Sequence, residues 1–179
     1  MGRRASAGQS GVPARIRSYR KSDLDACRKL WAELTLWHRR IYDDTTIGGS
    51  DPGSHFDAYI GKNGTGRIWV ALVDNVVVGM AGLISGDEGL ELEPLIVNEE
   101  YRRRGIGQML SKKVIQAAIN DSARTVSVRP VARNDPAIRF FHARGFDTLG
   151  HIEMFIDLTP AARQKWKEKL RIAGRNFRF

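Results

Sequence analysis

The residues best suited to chemistry are glycines and arginines that lie between an apolar run and a helical pattern. Residues 102–107 read Arg-Arg-Arg-Gly-Ile-Gly, after an apolar run at 90–97 and before helical spacing at 107–120. A helix start presents backbone N–H groups without internal partners and carries partial positive charge. Because Gly105 and Gly107 lack a Cβ, anionic oxygens can approach this backbone closely. The segment therefore predicts a pyrophosphate-binding turn, to which the arginines add positive charge.

Two other phosphate-binding motifs fail at specific positions. A Walker loop requires Lys and then Ser or Thr after its second glycine, where this chain has Gln108 and Met109. A dinucleotide fingerprint requires a third Gly or Ala, where this chain has Leu110. Its glycines also follow the strand directly, whereas seven residues separate Val97 from Gly105 here. Neither a P-loop nor a dinucleotide-binding domain is therefore predicted.

The hydrophobic pattern predicts the elements that position this turn. Strands are expected at residues 15–19, 67–73, 76–84, 90–97, 125–128, 146–149 and 151–158. Helices are expected at residues 24–41, 55–60, 107–120 and 135–143, and Thr159-Pro160 is expected to open a last basic helix. Asp74-Asn75 lies between two β-rich runs and indicates a hairpin. We expect a disordered basic leader at 1–14, one domain at 15–158 and a basic helix or tail at 159–179.

Composition narrows the function classes. The 179 residues are 42% hydrophobic and 27% charged, which is ordinary globular usage. The longest apolar run, residues 76–84, is too short to cross a bilayer, and the basic N-terminus is followed by no apolar stretch. We therefore expect a cytoplasmic protein with no membrane partner. The single cysteine, Cys27, excludes an internal disulfide and a thiolate-rich metal site.

The net charge of +9 is concentrated at the two ends of the chain. Residues 1–21 and 160–179 carry +6 each, which leaves −3 for the residues between them. Basic ends of this kind can bind nucleic acid. Because no aromatic or base-reading motif accompanies them, solvated tails are favoured, and nucleic-acid binding stays open as the less favoured alternative.

The turn and a second block resemble the GNAT N-acetyltransferase superfamily. The family's acetyl-CoA motif, [QR]-x-x-G-x-[GA], is met by Arg102, Gly105 and Gly107. Residues 134–146 are similar to the family's cofactor-contacting helix and following strand, and the order of elements over 15–158 also matches. The resemblance implies an α/β (α+β) fold: a mixed, mostly antiparallel sheet of about six or seven strands, with helices on both faces, splayed at the acetyl-CoA site.

The same resemblance implies acetyl-CoA as co-substrate and no metal. Val97 is expected where the central strands splay apart, with its backbone facing the acetyl carbonyl. Phe141, which has no proton to donate, stands where many relatives carry a tyrosine that can protonate the departing thiolate, and the general acid is left unassigned. The residues expected to contact acetyl-CoA are Leu95, Ile96, Val97, Arg102, Arg103, Arg104, Gly105, Ile106, Gly107, Gln108, Asn134, Ala137, Phe140 and Phe141.

Acetyl transfer to an amine needs a base, because only the neutral amine is nucleophilic. For a lysine-like amine of pKa about 10.4, deprotonation at pH 7 costs about 4.6 kcal/mol. A carboxylate acting directly or through water can take that proton. Glu91 and Glu93 lie two apart on the strand that leads to Val97, so in a regular strand they face the same side. Glu93 is nearer the splay and is the first candidate; Glu91 is the second.

The resemblance therefore implies an N-acetyltransferase that moves an acetyl group to a primary amine by direct attack in a ternary complex. The residues expected to bind this small-molecule or protein amine are Trp37, Tyr42, Asp43 and Asp44. Their acidic members favour a cationic acceptor. A non-catalytic acyl-CoA-binding sensor and a nucleic-acid-binding protein remain as alternatives, and a homodimer is left open.

Overall fold

A mixed β-sheet forms the centre of the structure, a computed structural model that describes residues 14–86, 89–160, 166 and 170–179. Its five strands stand in the order β1-β2-β3-β4-β5. The first four are antiparallel neighbours, and β5 is parallel to β4. The strands are β1 (Arg15–Ser18), β2 (Ile68–Val73), β3 (Val76–Ser85), β4 (Leu90–Val97) and β5 (Val126–Ser127).

Four helices occupy the positions that the apolar periodicity predicts. They are α1 (Leu24–Tyr42), α2 (His55–Asn63), α3 (Ile106–Asn120) and α4 (Asp135–His142). The predicted hairpin between β2 and β3 is also present. Asp74 and Asn75 both have positive φ, 49° and 64°, as a two-residue turn between twisted strands requires.

Helices cover both faces of the sheet. The core beneath α1 and α2 contains Cys27, Leu30, Phe56, Tyr59, Ile68, Val70, Leu72, Met80 and Ile96. On the other face, α3 packs on β2, β3 and β4 and buries Ile106, Leu110, Val114 and Ala118. Because successive strand residues point to opposite faces, β2 is buried along its whole length. The predicted fold class is therefore confirmed.

The chain divides into two compact units. The first comprises the described residues 14–35, 48–86 and 89–127, and it contains the five-stranded sheet, α2 and α3. The second comprises residues 36–47 and the described residues from 128 onward, including α4. Most of α1 belongs to the first unit and its last turns to the second.

The predictions for the C-terminal part of the chain were partly wrong. Residues 146–158 form no strand, and the sheet has five strands rather than six or seven. Alternation alone cannot form a strand, because each strand needs a neighbour for its backbone groups. The apolar side chains that produced the alternation are exposed: Leu149, Ile152, Met154, Phe155, Ile156 and Leu158.

The predicted last helix was also wrong where the structure describes it. Strands β6 (Leu170–Ile172) and β7 (Arg175–Phe177) form an antiparallel hairpin. Ala173 and Gly174 both have positive φ, 49° and 74°, which is the geometry of a tight hairpin turn. Residues 161–165 and 167–169, which were also expected in that helix, and residues 1–13 of the predicted leader lie outside the described residues.

A buried ion pair fastens the start of α1 to β1. Both carboxylate oxygens of Asp23, which is 5% exposed, accept hydrogen bonds from the Arg17 guanidinium at 2.6 and 2.8 Å. Asp23 also accepts the backbone N–H of Arg20 at 2.8 Å. The hydrogen bonds from Arg17 lower the pKa of Asp23, although burial acts in the opposite direction.

We expect Asp23→Asn to lower the free energy of unfolding by about 1.5–3 kcal/mol at pH 7, since a charged hydrogen bond is lost. A folded-state pKa below the unfolded value of about 3.9 gives stability that is fully present above that value. This stability is lost as the pH falls through the folded pKa. Urea unfolding should therefore give a smaller difference in the free energy of unfolding between wild type and variant at pH 3 than at pH 7. An equal difference at both pH values would contradict an electrostatic origin of the stability.

A bulge in β4 is accommodated by a glycine on β3. Ala81 pairs with Leu95 and Leu83 with Leu92, so the two residues Glu93 and Pro94 lie opposite Gly82 alone. The Glu93–Pro94 peptide bond is cis. The Tyr59 hydroxyl donates to the Glu93 carbonyl oxygen at 2.6 Å, and burial raises the pKa of Tyr59, so it remains a donor at neutral pH. Gly82 leaves the space in which these two groups meet.

Gly82→Ala should destabilise the protein by about 1–3 kcal/mol, because a Cβ there would overlap the Tyr59 hydroxyl and the Glu93 carbonyl. Gly66→Ala is the matched control, since nothing lies within 4 Å of a Cβ at that position. Chemical denaturation of the three proteins measures the difference. An equal loss of unfolding free energy in the two variants would show that crowding at the bulge does not cause the destabilisation.

Candidate active site

The pairing of β4 with β5 stops before β4 itself ends. The parallel pairing consists of Leu90 with Val126 and Glu91 with Ser127. β4 then continues to Val97, paired with β3 as far as its last residue. The ladder between the two strands therefore stops at Glu91, and the splay expected at the acetyl-CoA site stays a prediction. Among the residues expected beside it, Ile96 is buried in the core, whereas Leu95 and Val97 are partly exposed.

The segment that follows β4 is held by side chains as well as by the backbone. The Asn98 N–H donates to the Val78 carbonyl at 2.9 Å, and its side-chain oxygen accepts the N–H of Glu100 at 3.2 Å. This second bond caps a 3-10 turn, Glu99–Tyr101. Arg102 Nε donates to the Val97 carbonyl oxygen at 3.0 Å. The segment is thereby tied to the end of the strand, and Arg102 has a positioning role that sequence reasoning did not assign.

The start of α3 has the features of an anion-binding site. Gly105 is the N-cap with φ 82°, no side chain caps the helix, and its first turn contains no acidic residue. Nothing lies within 4 Å of a Cβ built at Gly105, so the approach to the first amides is open. Arg103 and Arg104 are exposed beside them, the latter stacked on Tyr101 at 5.2 Å. The turn therefore fits a pyrophosphate, which needs free N–H donors and positive charge.

The other residues of the predicted turn differ in whether they are exposed to a ligand. The Ile106 side chain is buried in the core, so only its backbone can face a ligand. Gly107 is partly exposed, and Gln108 is exposed. The sequence motif thus contributes mainly backbone at the helix start.

The two candidate bases differ sharply in access. Glu91 is buried, with 4% of its surface exposed, whereas Glu93 is exposed. Their shared face was expected from strict alternation, but the bulge at Glu93 and Pro94 interrupts that alternation. Glu93 can meet an acceptor from solvent, and its assignment as the base stays a prediction.

Sequence reasoning missed Glu33. This residue of α1 accepts a hydrogen bond from Asn98 Nδ2 at 2.8 Å, and Asn98 directly follows Val97. The contact joins residues that are 65 positions apart. A glutamate on an amphipathic helix resembles any solvated surface residue, so no local signal could have distinguished it.

In the second unit, Asn134 is the N-cap of α4. Its Oδ1 accepts from Ala137 N at 3.4 Å and from the indole N–H of Trp37 at 3.3 Å. Phe140 contacts Phe141 and carries the Arg144 guanidinium on one face, 3.6 Å from the ring centroid. The cofactor contacts predicted for Asn134, Ala137, Phe140 and Phe141 stay predictions.

The acceptor contacts expected for Trp37, Tyr42, Asp43 and Asp44 stay predictions. The ring of Tyr42 lies under Arg133 at 4.8 Å and against Trp166 at 6.1 Å. Asp44 accepts the N–H and hydroxyl of Thr46, which closes its own loop, and Asp43 is exposed with φ 52°. Among the described residues, no group of three or more His, Cys, Asp or Glu side chains could hold a metal ion. No helix within those same residues has the length and apolarity needed to cross a membrane.

Comparisons with known proteins identify the family. Residues 24–146 match the acetyltransferase (GNAT) family. The peptidyl-lysine N-acetyltransferase YiaC of Escherichia coli (strain K12) is 29% identical over 131 residues, 73% of this chain and 82% of YiaC. The N-acetylaspartate synthetase of Xenopus tropicalis is 26% identical over 128 residues, 70% of this chain and 46% of that protein. The chain thus spans about half the length of the latter relative.

Solved structures agree on the fold. A GNAT-family acetyltransferase from Staphylococcus aureus Mu50 superposes with a TM-score of 0.61 at 18% identity, covering 74% of this chain and 83% of that one. At this identity the likeness shows the fold alone, whereas the family match covers more than half of the chain. The protein therefore belongs to the acetyltransferase (GNAT) family.

Proposed function

We propose that this protein transfers an acetyl group from acetyl-CoA to a primary amine within a ternary complex. The observation that carries the proposal is the uncapped start of α3, which lies open at Gly105, with seven residues between it and the end of β4. Family membership supports the same activity. Bound acetyl-CoA supplies the thioester carbonyl that the amine attacks.

Each part of the turn has its own role in this proposal. The amides at the start of α3 bind the pyrophosphate, and the exposed guanidinium groups of Arg103 and Arg104 add positive charge. Arg102 keeps the turn in register with the strand by holding the Val97 carbonyl. The backbone of Val97 faces the acetyl carbonyl. Orientation of the two reactants in this way lowers the entropic part of the barrier.

Glu93 removes the proton from the acceptor amine, directly or through a water. Its exposure supports this role over Glu91, which is buried. The hydrogen bond from Tyr59 fixes the backbone of Glu93, so the carboxylate projects from a rigid strand. A fixed base loses less entropy in the transition state than a mobile one.

The acceptor class is a cationic primary amine, with peptidyl lysine as the first candidate. One relative, YiaC, is a peptidyl-lysine N-acetyltransferase and aligns over 82% of its length. Thiol release from acetyl-CoA can be measured with a lysine-containing peptide, spermidine and kanamycin, and the acetylated product identified by mass spectrometry. Turnover of at least one acceptor is expected. Tight CoA binding without product would favour the acyl-CoA sensor instead.

Gly105→Asp should abolish CoA binding, because it places a side chain and a negative charge over the helix-start amides. Gly174→Asp is the matched control: it too has positive φ, 74°, and open space, but it lies in the turn between β6 and β7. Calorimetric titration with CoA is expected to give wild-type affinity for the control and no measurable binding for Gly105→Asp. Normal binding by Gly105→Asp would refute the pyrophosphate assignment.

Glu93→Gln should lower kcat/KM at pH 7 by a factor of about 10²–10⁴, the usual cost of losing a general base. The difference in kcat/KM between the variant and wild type should shrink as the pH rises toward the pKa of the acceptor amine, because neutral amine then becomes abundant. Rates of Glu91→Gln measured over the same pH range provide the comparison. An unchanged kcat/KM in Glu93→Gln would remove this residue from the mechanism.

A further inference from the structure

Glu33 has one carboxylate oxygen bonded and one without a partner. Oε1 accepts the hydrogen bond from Asn98 Nδ2 at 2.8 Å. Oε2 is fully buried as an atom and has no hydrogen-bond partner among the described residues. No described cationic side chain forms an ion pair with this carboxylate. A buried acceptor of this kind is unfavourable unless a donor reaches it.

The orientation of the Asn98 side chain requires a hydrogen-bond acceptor at position 33. The Asn98 side-chain oxygen accepts the N–H of Glu100, so its Nδ2 must point toward α1. The backbone of Asn98 is held in turn by Val78. Glu33 is therefore fixed as an acceptor by groups that cannot turn away without breaking the cap of the 3-10 turn. The oxygen that remains can only accept as well, while the carboxylate is ionised.

The position of Glu33 beside the end of β4 indicates which ligand its unpartnered oxygen would bind. Asn98 is the residue after Val97, the last residue of β4. Glu33 as a whole is partly exposed, so its side chain lies at the border between the core and the surface. A cation with several N–H donors satisfies such an oxygen better than a neutral group does.

We propose that Glu33 binds the ammonium group of the acceptor amine beside the end of β4. The proposal rests on the proposed function, since it places the acceptor next to Val97. It adds a specificity residue on α1 to those expected from the sequence. Glu33 selects a cationic amine, and the base then removes the proton.

The test separates amine binding from cofactor binding. Glu33→Gln keeps an oxygen that can accept from Asn98 and removes only the charge. Asp25→Asn is the matched control, because Asp25 is an exposed carboxylate on the same helix. CoA is first titrated into each full-length protein by calorimetry. A lysine-containing peptide, spermidine and kanamycin are then each titrated into the CoA-saturated protein.

We expect Glu33→Gln to retain CoA affinity and thermal stability while its affinity for the amines falls by about tenfold or more. Asp25→Asn should retain both affinities. Equal amine affinity in wild type and Glu33→Gln would overturn the inference, as would a Glu33→Gln protein that also loses CoA binding. Wild-type protein that binds CoA but none of the three amines would overturn it as well. Wild-type protein that fails to bind CoA would instead overturn the proposed function.

Discussion

The unequal pairing of β4 is the constraint on which the candidate site depends. One edge of this strand is paired with β3 as far as Val97, while the other loses β5 after Glu91. Backbone groups that leave a sheet must find other partners. Two carbonyls in this part of β4 accept hydrogen bonds from side chains: that of Val97 from Arg102, and that of Glu93, which lies against Gly82 of β3, from Tyr59. These bonds hold the end of β4 in position where β5 no longer pairs with it.

The parts of the fold that follow local rules could be predicted from the sequence. The hairpin at Asp74 and Asn75 has a turn signal, and α1 and α3 show apolar side chains at helical spacing. The glycine turn at the start of α3 was recognisable because its glycines stand between a strand and a helix. In each case the decisive information lies within about twenty residues, the range over which periodicity and turn chemistry act.

The parts that depend on distant partners could not be predicted in this way. The alternation at residues 151–158 is typical of a strand, but the sequence cannot supply the neighbour that a strand needs. Glu33 meets Asn98 across 65 positions, and no local pattern marks that contact. The bulge at Glu93 was a partial exception, because Pro94 inside a strand pattern already indicates an interrupted ladder. That signal already indicates that Pro94 can move either glutamate off the face they would share in a regular strand.

The hydrogen bond between Arg102 and Val97 has a consequence for native-state fluctuations. It closes a loop of chain in which the last residue of β4, the capped 3-10 turn and the start of the glycine turn hold one another. Such a loop opens as a unit, because breaking one contact frees the others. Whatever free energy a ligand contributes at the amides of α3 therefore also protects the end of β4 against opening. Ligand binding at these amides thus also rigidifies the end of β4, where the reaction would take place.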